Sequence, residues 1–171
     1  EYYVKKRDQG IGLEFYSAHG PSRLMDPYAY YRHMAWACWH YGATGMYFWS
    51  LTDTGGASSW NEYVTTRLPY SPFFIDSDSV TAGKHLEALR EGVEDYEYLV
   101  MLDRAVREAT AQGVIGPELE EARWLLESLP STVYEAAISA YPLWQNDNVD
   151  RTLADKARIK LLAALTALAE R

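Results

Sequence analysis

Two tryptophans and a carboxylate stand close together in Thr44–Trp60, the stretch TGMYFWSLTDTGGASSW. Trp49 ends an apolar, aromatic run, Asp53 opens a loop containing Gly55 and Gly56, and Trp60 follows that loop. An indole covers the apolar C–H face of a pyranose, and a carboxylate accepts hydrogen bonds from hydroxyls. Sugar recognition is therefore one reading of Trp49, Asp53 and Trp60. The other is architectural, with Trp49 in the core and Asp53 capping a turn. These residues alone leave both open.

The remaining carboxylates sort by position. Glu94 and Asp95 are adjacent, but neighbours on a helix point about 100° apart, so they do not form an acid/base pair. Arg90 and Glu94 are four apart and predict a structural ion pair along one helix face. Asp53 and Asp76 each follow a strand, and Glu14 lies inside one. The histidines His19, His33, His40 and His85 have no metal-ligand spacing. No phosphate-binding glycine loop, nucleophile elbow or paired CxxC is present, so no metal and no cofactor is expected.

Composition narrows the partners. The chain has 171 residues, enough for a substantial core, and a net charge of −8. With no basic stripe, nucleic acid is an unfavourable partner, and so is an anionic membrane. Aromatic residues make up 14%, with 14 Tyr and 6 Trp. That content suits a wall that stacks ligands or a tyrosine-rich helix surface. The single cysteine, Cys38, can form no internal disulfide.

The elements that would position these residues follow in order. Ile11–Ser17 predicts a strand. Asp26-Pro27 predicts a helix start, running to Tyr41 and stopping at Gly42. The central strand comes next, then a third over Ser71–Asp76, with Pro72 at its start. Ser77–Thr81 reads as a loop into a long helix from about Gly83 to Gln112. Leu86, Leu89, Val93, Tyr96 and Val100 are its expected buried stripe. Gly92 inside that helix predicts a close approach by another element. From Gly113 onward only helices are expected: Pro117–Ser128, Ser131–Ala140 and Asp147–Ala169, with Pro130 as a boundary. The expected division is 1–112 and a helical tail, 113–171, packed upon it. Strand, helix, strand, strand, helix is the pattern of a parallel βα array.

Leu86–Leu99, LEALREGVEDYEYL, is the most specific string in the chain. Together with DPYAYYRHMAWACWHYGATGMYFWSLTDTGG and YSPFFIDSDSV, it resembles the C-terminal part of the glycoside hydrolase family 123 catalytic domain and a related large bacterial domain family. The resemblance implies α/β architecture, the last three strands of a TIM-type (β/α)8 barrel. It also implies kinship with retaining β-N-acetylgalactosaminidases, whose substrate acetamide acts as nucleophile. Their catalytic pair is an Asp-Glu dipeptide, and none occurs here. By that resemblance this chain supplies pocket walls, with Tyr16, Trp49, Asp53 and Trp60 as substrate-binding residues and no catalytic residue. The barrel would then need an N-terminal part of its own, and the EYYVKKRDQG start reads as a piece of a longer protein. Glycan processing suits a secreted or periplasmic setting.

Three function classes remain in view: walls of a glycoside hydrolase pocket, a carbohydrate-binding module without chemistry, and a structural segment whose aromatics are core. The expected partner is a glycan or amino sugar, with no nucleic acid and no membrane. The first strand is expected to present an open edge.

Overall fold

The structure is a computed structural model that describes residues 1–17, 28–48, 72–138 and 150–170. Trp49, Asp53 and Trp60 lie outside the described residues, as do His19 and the Asp26-Pro27 helix start. The order is helix α1 (Tyr2–Asp8), strand β1 (Glu14–Ser17), a π-helical turn (Tyr28–Arg32) leading into α2 (His33–Tyr41), and strand β2 (Gly45–Phe48). Then come β3 (Phe73–Ile75), β4 (Val80–Ala82), α3 (Lys84–Ala111), α4 (Pro117–Ile138) and α5 (Leu153–Ala169).

Helices dominate, and they make the core. Trp36 of α2 packs with Leu99, Leu102 and Val106 of α3, with Leu119, Leu125, Leu129 and Val133 of α4, and with Ala157 and Leu161 of α5. α2 is buried nearly all round, because Ala35, Trp36, Ala37 and Cys38 are all enclosed. A helix with apolar residues on every side belongs in the middle of a bundle. It ends at Gly42, whose φ of 63° is the left-handed cap that glycine favours. The Ala43 amide closes that cap on the Cys38 carbonyl at 2.8 Å. The Arg7 guanidinium also donates to the Tyr41 carbonyl, which places a cation at the negative end of the helix.

β1 and β2 pair in parallel, with Glu14 opposite Gly45, Phe15 opposite Met46, Tyr16 opposite Tyr47 and Ser17 opposite Phe48. The inner face is apolar. Phe15 and Met46 pack by Leu13, Cys38 and Ala43, and Phe48 packs by Tyr31 and Ala88. Strand alternation sends Glu14, Tyr16, Gly45 and Tyr47 to the other face.

The expected barrel portion is not what forms. The third strand, β3, does not join the parallel pair; it forms a separate antiparallel hairpin with β4. Its turn closes with the Asp76 amide on the Ser79 carbonyl at 2.9 Å and the Ser77 amide on Asp76 Oδ1 at 2.8 Å. A connection this short permits antiparallel pairing only, since a parallel crossover takes a dozen residues or more. Val80 and Thr81, read as loop, are the returning strand.

Two helix expectations are corrected as well. The buried stripe of α3 is His85, Ala88, Gly92, Asp95 and Leu99, followed by Leu102 and Val106. It has the expected three-four spacing displaced by one residue, about 100° round the helix. Val93 and Val100 are left 47% and 37% exposed. Small residues let the π turn approach, and ion pairing draws Asp95 inward, so hydrophobicity alone chose the wrong face. A Cβ on Gly92 would sit 3.0 Å from both Cα and O of Arg32; the close approach expected from that glycine is present. Secondly, Pro130 does not divide α4. Leu119, Ala122, Leu125, Leu129 and Val133 form one continuous buried stripe across it. Burying both halves together outweighs the roughly 3 kcal/mol an interior proline costs.

Candidate functional site

The outer face of the parallel pair carries two solvent-exposed tyrosines. Tyr16 and Tyr47, directly opposite across the two strands, are 62% and 51% exposed. Tyr47 folds back over Gly45, where a Cβ would meet its ring at 3.1 Å and Glu14 Oε1 at 3.3 Å. The Tyr47 hydroxyl donates to Glu14 Oε1 at 3.4 Å, a long bond. The missing side chain at Gly45 is thus what allows a tyrosine to lie flat beside a carboxylate. Here Gly45 is favoured by the space it leaves.

The same strand borders a groove of about 460 Å³. Leu13, Glu14, Phe15 and Tyr16 form one side; Tyr3 and Val4 of α1, Tyr41 at the end of α2, and Tyr134 of α4 form the rest, with Glu1. Its volume falls in the range of ordinary small-molecule sites, roughly 300–1,000 Å³. The rings brace one another. Phe15 and Tyr41 meet edge to face at 5.9 Å, Tyr41 and Tyr134 at 5.3 Å, and His40 stacks on Tyr134 at 5.7 Å. Burial, and then the hydrogen-bonded Tyr41, push the Tyr134 phenol up, so Tyr134 stays a neutral hydroxyl. Among the described residues the groove therefore offers aromatic faces, phenol hydroxyls and the side-chain carboxylates of Glu1 and Glu14.

A second constellation is buried and architectural. Asp95 is fully enclosed and accepts from Arg32 Nε at 2.8 Å, Trp36 Nε1 at 2.9 Å and Arg158 Nε at 2.6 Å. Arg32 also donates to Asp155 at 2.7 Å, and Arg158 to Glu91 at 2.8 Å. Its donors and acceptors are used on one another and tie α2, α3 and α5 together. Sequence reading missed it, because its members lie at positions 32, 36, 91, 95, 155 and 158. The one available signal was an aspartate in phase with Ala88, Gly92 and Leu99.

Of the residues expected to bind substrate, Tyr16 stands on the exposed face and at the groove. Trp49, Asp53 and Trp60 are outside the described residues. Arg90 and Glu94 do pair, in a solvent-facing set in which Arg90 also meets Glu87 at 2.9 Å and Glu91 at 3.3 Å. Glu94 and Asp95 diverge as helix geometry requires, one to the surface and one to the interior. Tyr47, Tyr41 and Tyr134 were not singled out from the sequence. Tyr47 gains its place from the strand register and Tyr134 from helix packing.

Other reactive groups are subdued. Cys38 lines a smaller cleft of about 160 Å³ with Gly45, Met46 and Tyr96, and burial raises its thiol to about 11. It is no nucleophile near neutrality. Burial, and then the charge of Lys84, lower His85 to about 4. Among the described residues no group of His, Cys, Asp and Glu could hold a metal ion, and no helix is long and apolar enough to cross a membrane. Comparison with protein-family models, curated proteins and solved structures gives no match for this chain.

Proposed function

We propose that this chain is a glycan-binding part of a glycoside hydrolase-like protein, one that presents aromatic walls to a sugar and carries no catalytic pair of its own. The hydrolase class rests on the motif order that resembles the retaining β-N-acetylgalactosaminidases. The glycan rests on one observation: Tyr16 and Tyr47 lie exposed and side by side, with Glu14 next to them. Large aromatics held on a strand face in water, instead of in the core, fit stacking on the C–H face of a sugar. Glu14 then accepts from hydroxyls, and the phenols of Tyr16 and Tyr47 both donate and accept.

The test is titration of the whole chain with hexose and N-acetylhexosamine oligosaccharides, followed by calorimetry. Saturable binding is expected. Tyr16→Ala and Tyr47→Ala should each weaken it about five- to tenfold, the equivalent of roughly 1–1.4 kcal/mol of ring contact. Both side chains are exposed, so melting temperatures should hold. An absence of saturable binding to every sugar, or alanine variants that bind like the parent, overturns the reading.

A further inference from the structure

We propose that the groove beside β1 receives an extended peptide segment as an added strand, a role that goes beyond the glycan reading and does not depend on it. The groove touches Leu13, Glu14, Phe15 and Tyr16, four consecutive residues, and among the described residues none of β2 lines it. Consecutive residues of a strand point to opposite faces. A groove that meets all four therefore runs along the edge of the strand, on the side away from β2. Among the described residues β1 pairs with β2 alone. Its other edge carries the backbone N–H and C=O groups that β2 does not take, a template onto which a further strand can add.

The two edges of this sheet differ. Ala43, Thr44, Gly45 and Met46 border a cleft of about 160 Å³ along the β2 edge, closed by Cys38 of α2 and by Val93 and Tyr96 of α3. The space along β1 is about 460 Å³. Its far wall is Tyr3 and Val4 of α1, a helix with no buried residue. α1 thus stands off from the edge of β1 instead of covering it, and the room lies where the backbone is unpaired.

The side chains set what the segment looks like. Phe15 turns inward with Leu13 and Cys38 and meets the Tyr41 ring, which in turn meets Tyr134. Tyr16 is turned to solvent. A strand laid beside β1 continues both faces. Its apolar residues stand at alternate positions against Tyr41 and Tyr134, and its polar residues lie between them, beside Glu14 and Tyr16. β1 has four residues, so a partner segment about 13 Å long spans it.

The experiment titrates the full chain into a dye-labelled, capped Thr-Val-Thr-Val-Thr peptide with one lysine and one glutamate at its ends, followed by fluorescence anisotropy. Two further peptides carry a single backbone N-methyl group, one on the central threonine and one on the valine beside it. Adjacent amides of an added strand point to opposite edges, so only one of the two can donate to β1. Saturable binding of the parent peptide is expected. One N-methyl isomer should bind at least about tenfold more weakly, and the other within about threefold of the parent peptide. Val4→Asp, at the opposite wall, should weaken binding by about fivefold or more with an unchanged melting temperature. Failure of the parent peptide to saturate overturns the inference. So do two N-methyl isomers that behave alike, because contact is then made by side chains and not by the strand edge. Unweakened binding to Val4→Asp overturns it as well, since the peptide then sits outside this groove.

Discussion

Replacing Asp95 by alanine should be among the most damaging single changes in this chain. Asp95 is completely buried and Arg32 is 2% exposed. The carboxylate receives Arg32, Trp36 and Arg158 at 2.8, 2.9 and 2.6 Å. Among the described residues, its removal leaves the buried Arg32 guanidinium with Asp155 alone within bonding distance and Glu91 at 3.8 Å. It also strips the Trp36 indole N–H of its acceptor. Breaking one partner of a buried pair costs about 3–5 kcal/mol, because the remaining charge is uncompensated. A domain of ordinary stability holds about 5–15 kcal/mol in all, so this is a large share. At about 2–4 °C per kcal/mol for a chain of this length, the melting temperature should fall by roughly 6–20 °C. The assay is urea unfolding followed by circular dichroism, with thermal melts alongside, and an unchanged m-value is expected. Asp95→Leu combined with Arg32→Met provides the control. Removing both charges should recover at least half of the loss, since an apolar replacement of a buried pair is often neutral. Asp95→Ala within about 1 kcal/mol of the parent would refute the reasoning. So would a double variant as unstable as the sum of its singles, because the loss would then not come from the stranded guanidinium.

Gly92→Ala should destabilise by about 1–3 kcal/mol through overpacking, although alanine in an open helix gains about 1 kcal/mol over glycine. The added methyl would meet the Arg32 backbone at 3.0 Å; a raised melting temperature would show that the π turn yields. Stability should also fall with acid through His85. Its folded pKa, lowered to about 4, lies below the ordinary 6.5. Only the unfolded chain binds the proton between these values, so the contribution is complete above about pH 6.5 and is lost as pH falls towards 4. Denaturant midpoints measured from pH 7 to 4 should show a slope that His85→Gln flattens, and an unchanged slope would refute the assignment.

Much of the local structure was legible. Gly42 marked the end of α2 because a left-handed cap favours glycine, and the long helix beginning after Gly83 follows from its apolar periodicity. Gly92 announced a close backbone approach. The Arg90–Glu94 pair is a matter of spacing on a single helix. The site was harder to read. Tyr16 was a candidate only by resemblance, whereas Tyr47 becomes its neighbour through pairing between strands more than thirty positions apart. Tyr134 reaches the groove beside Tyr16 from a helix more than a hundred positions further along the chain.

The misreadings have physical causes. Apolar periodicity gave α3 the right rhythm on the wrong face, because periodicity is blind to an aspartate whose counter-ions are supplied by the π turn and α5. Pro130 carried a local penalty that burial on both sides of it outweighs. β3 was assigned to a parallel array by the order of elements, although the short Asp76–Ser79 connection allows a hairpin only. The amino-acid sequence by itself marked the long helix after Gly83, the glycine stop of α2 and the charge sign of the surface, since those depend on neighbours along the chain, but not α1 or the unbroken α4. The tertiary structure alone decided that Asp95 is buried, that Tyr16 and Tyr47 lie side by side in solvent, and that four distant segments enclose one aromatic groove. Each of those depends on which surface a helix or strand turns inward, and that choice is made by packing between segments far apart in sequence.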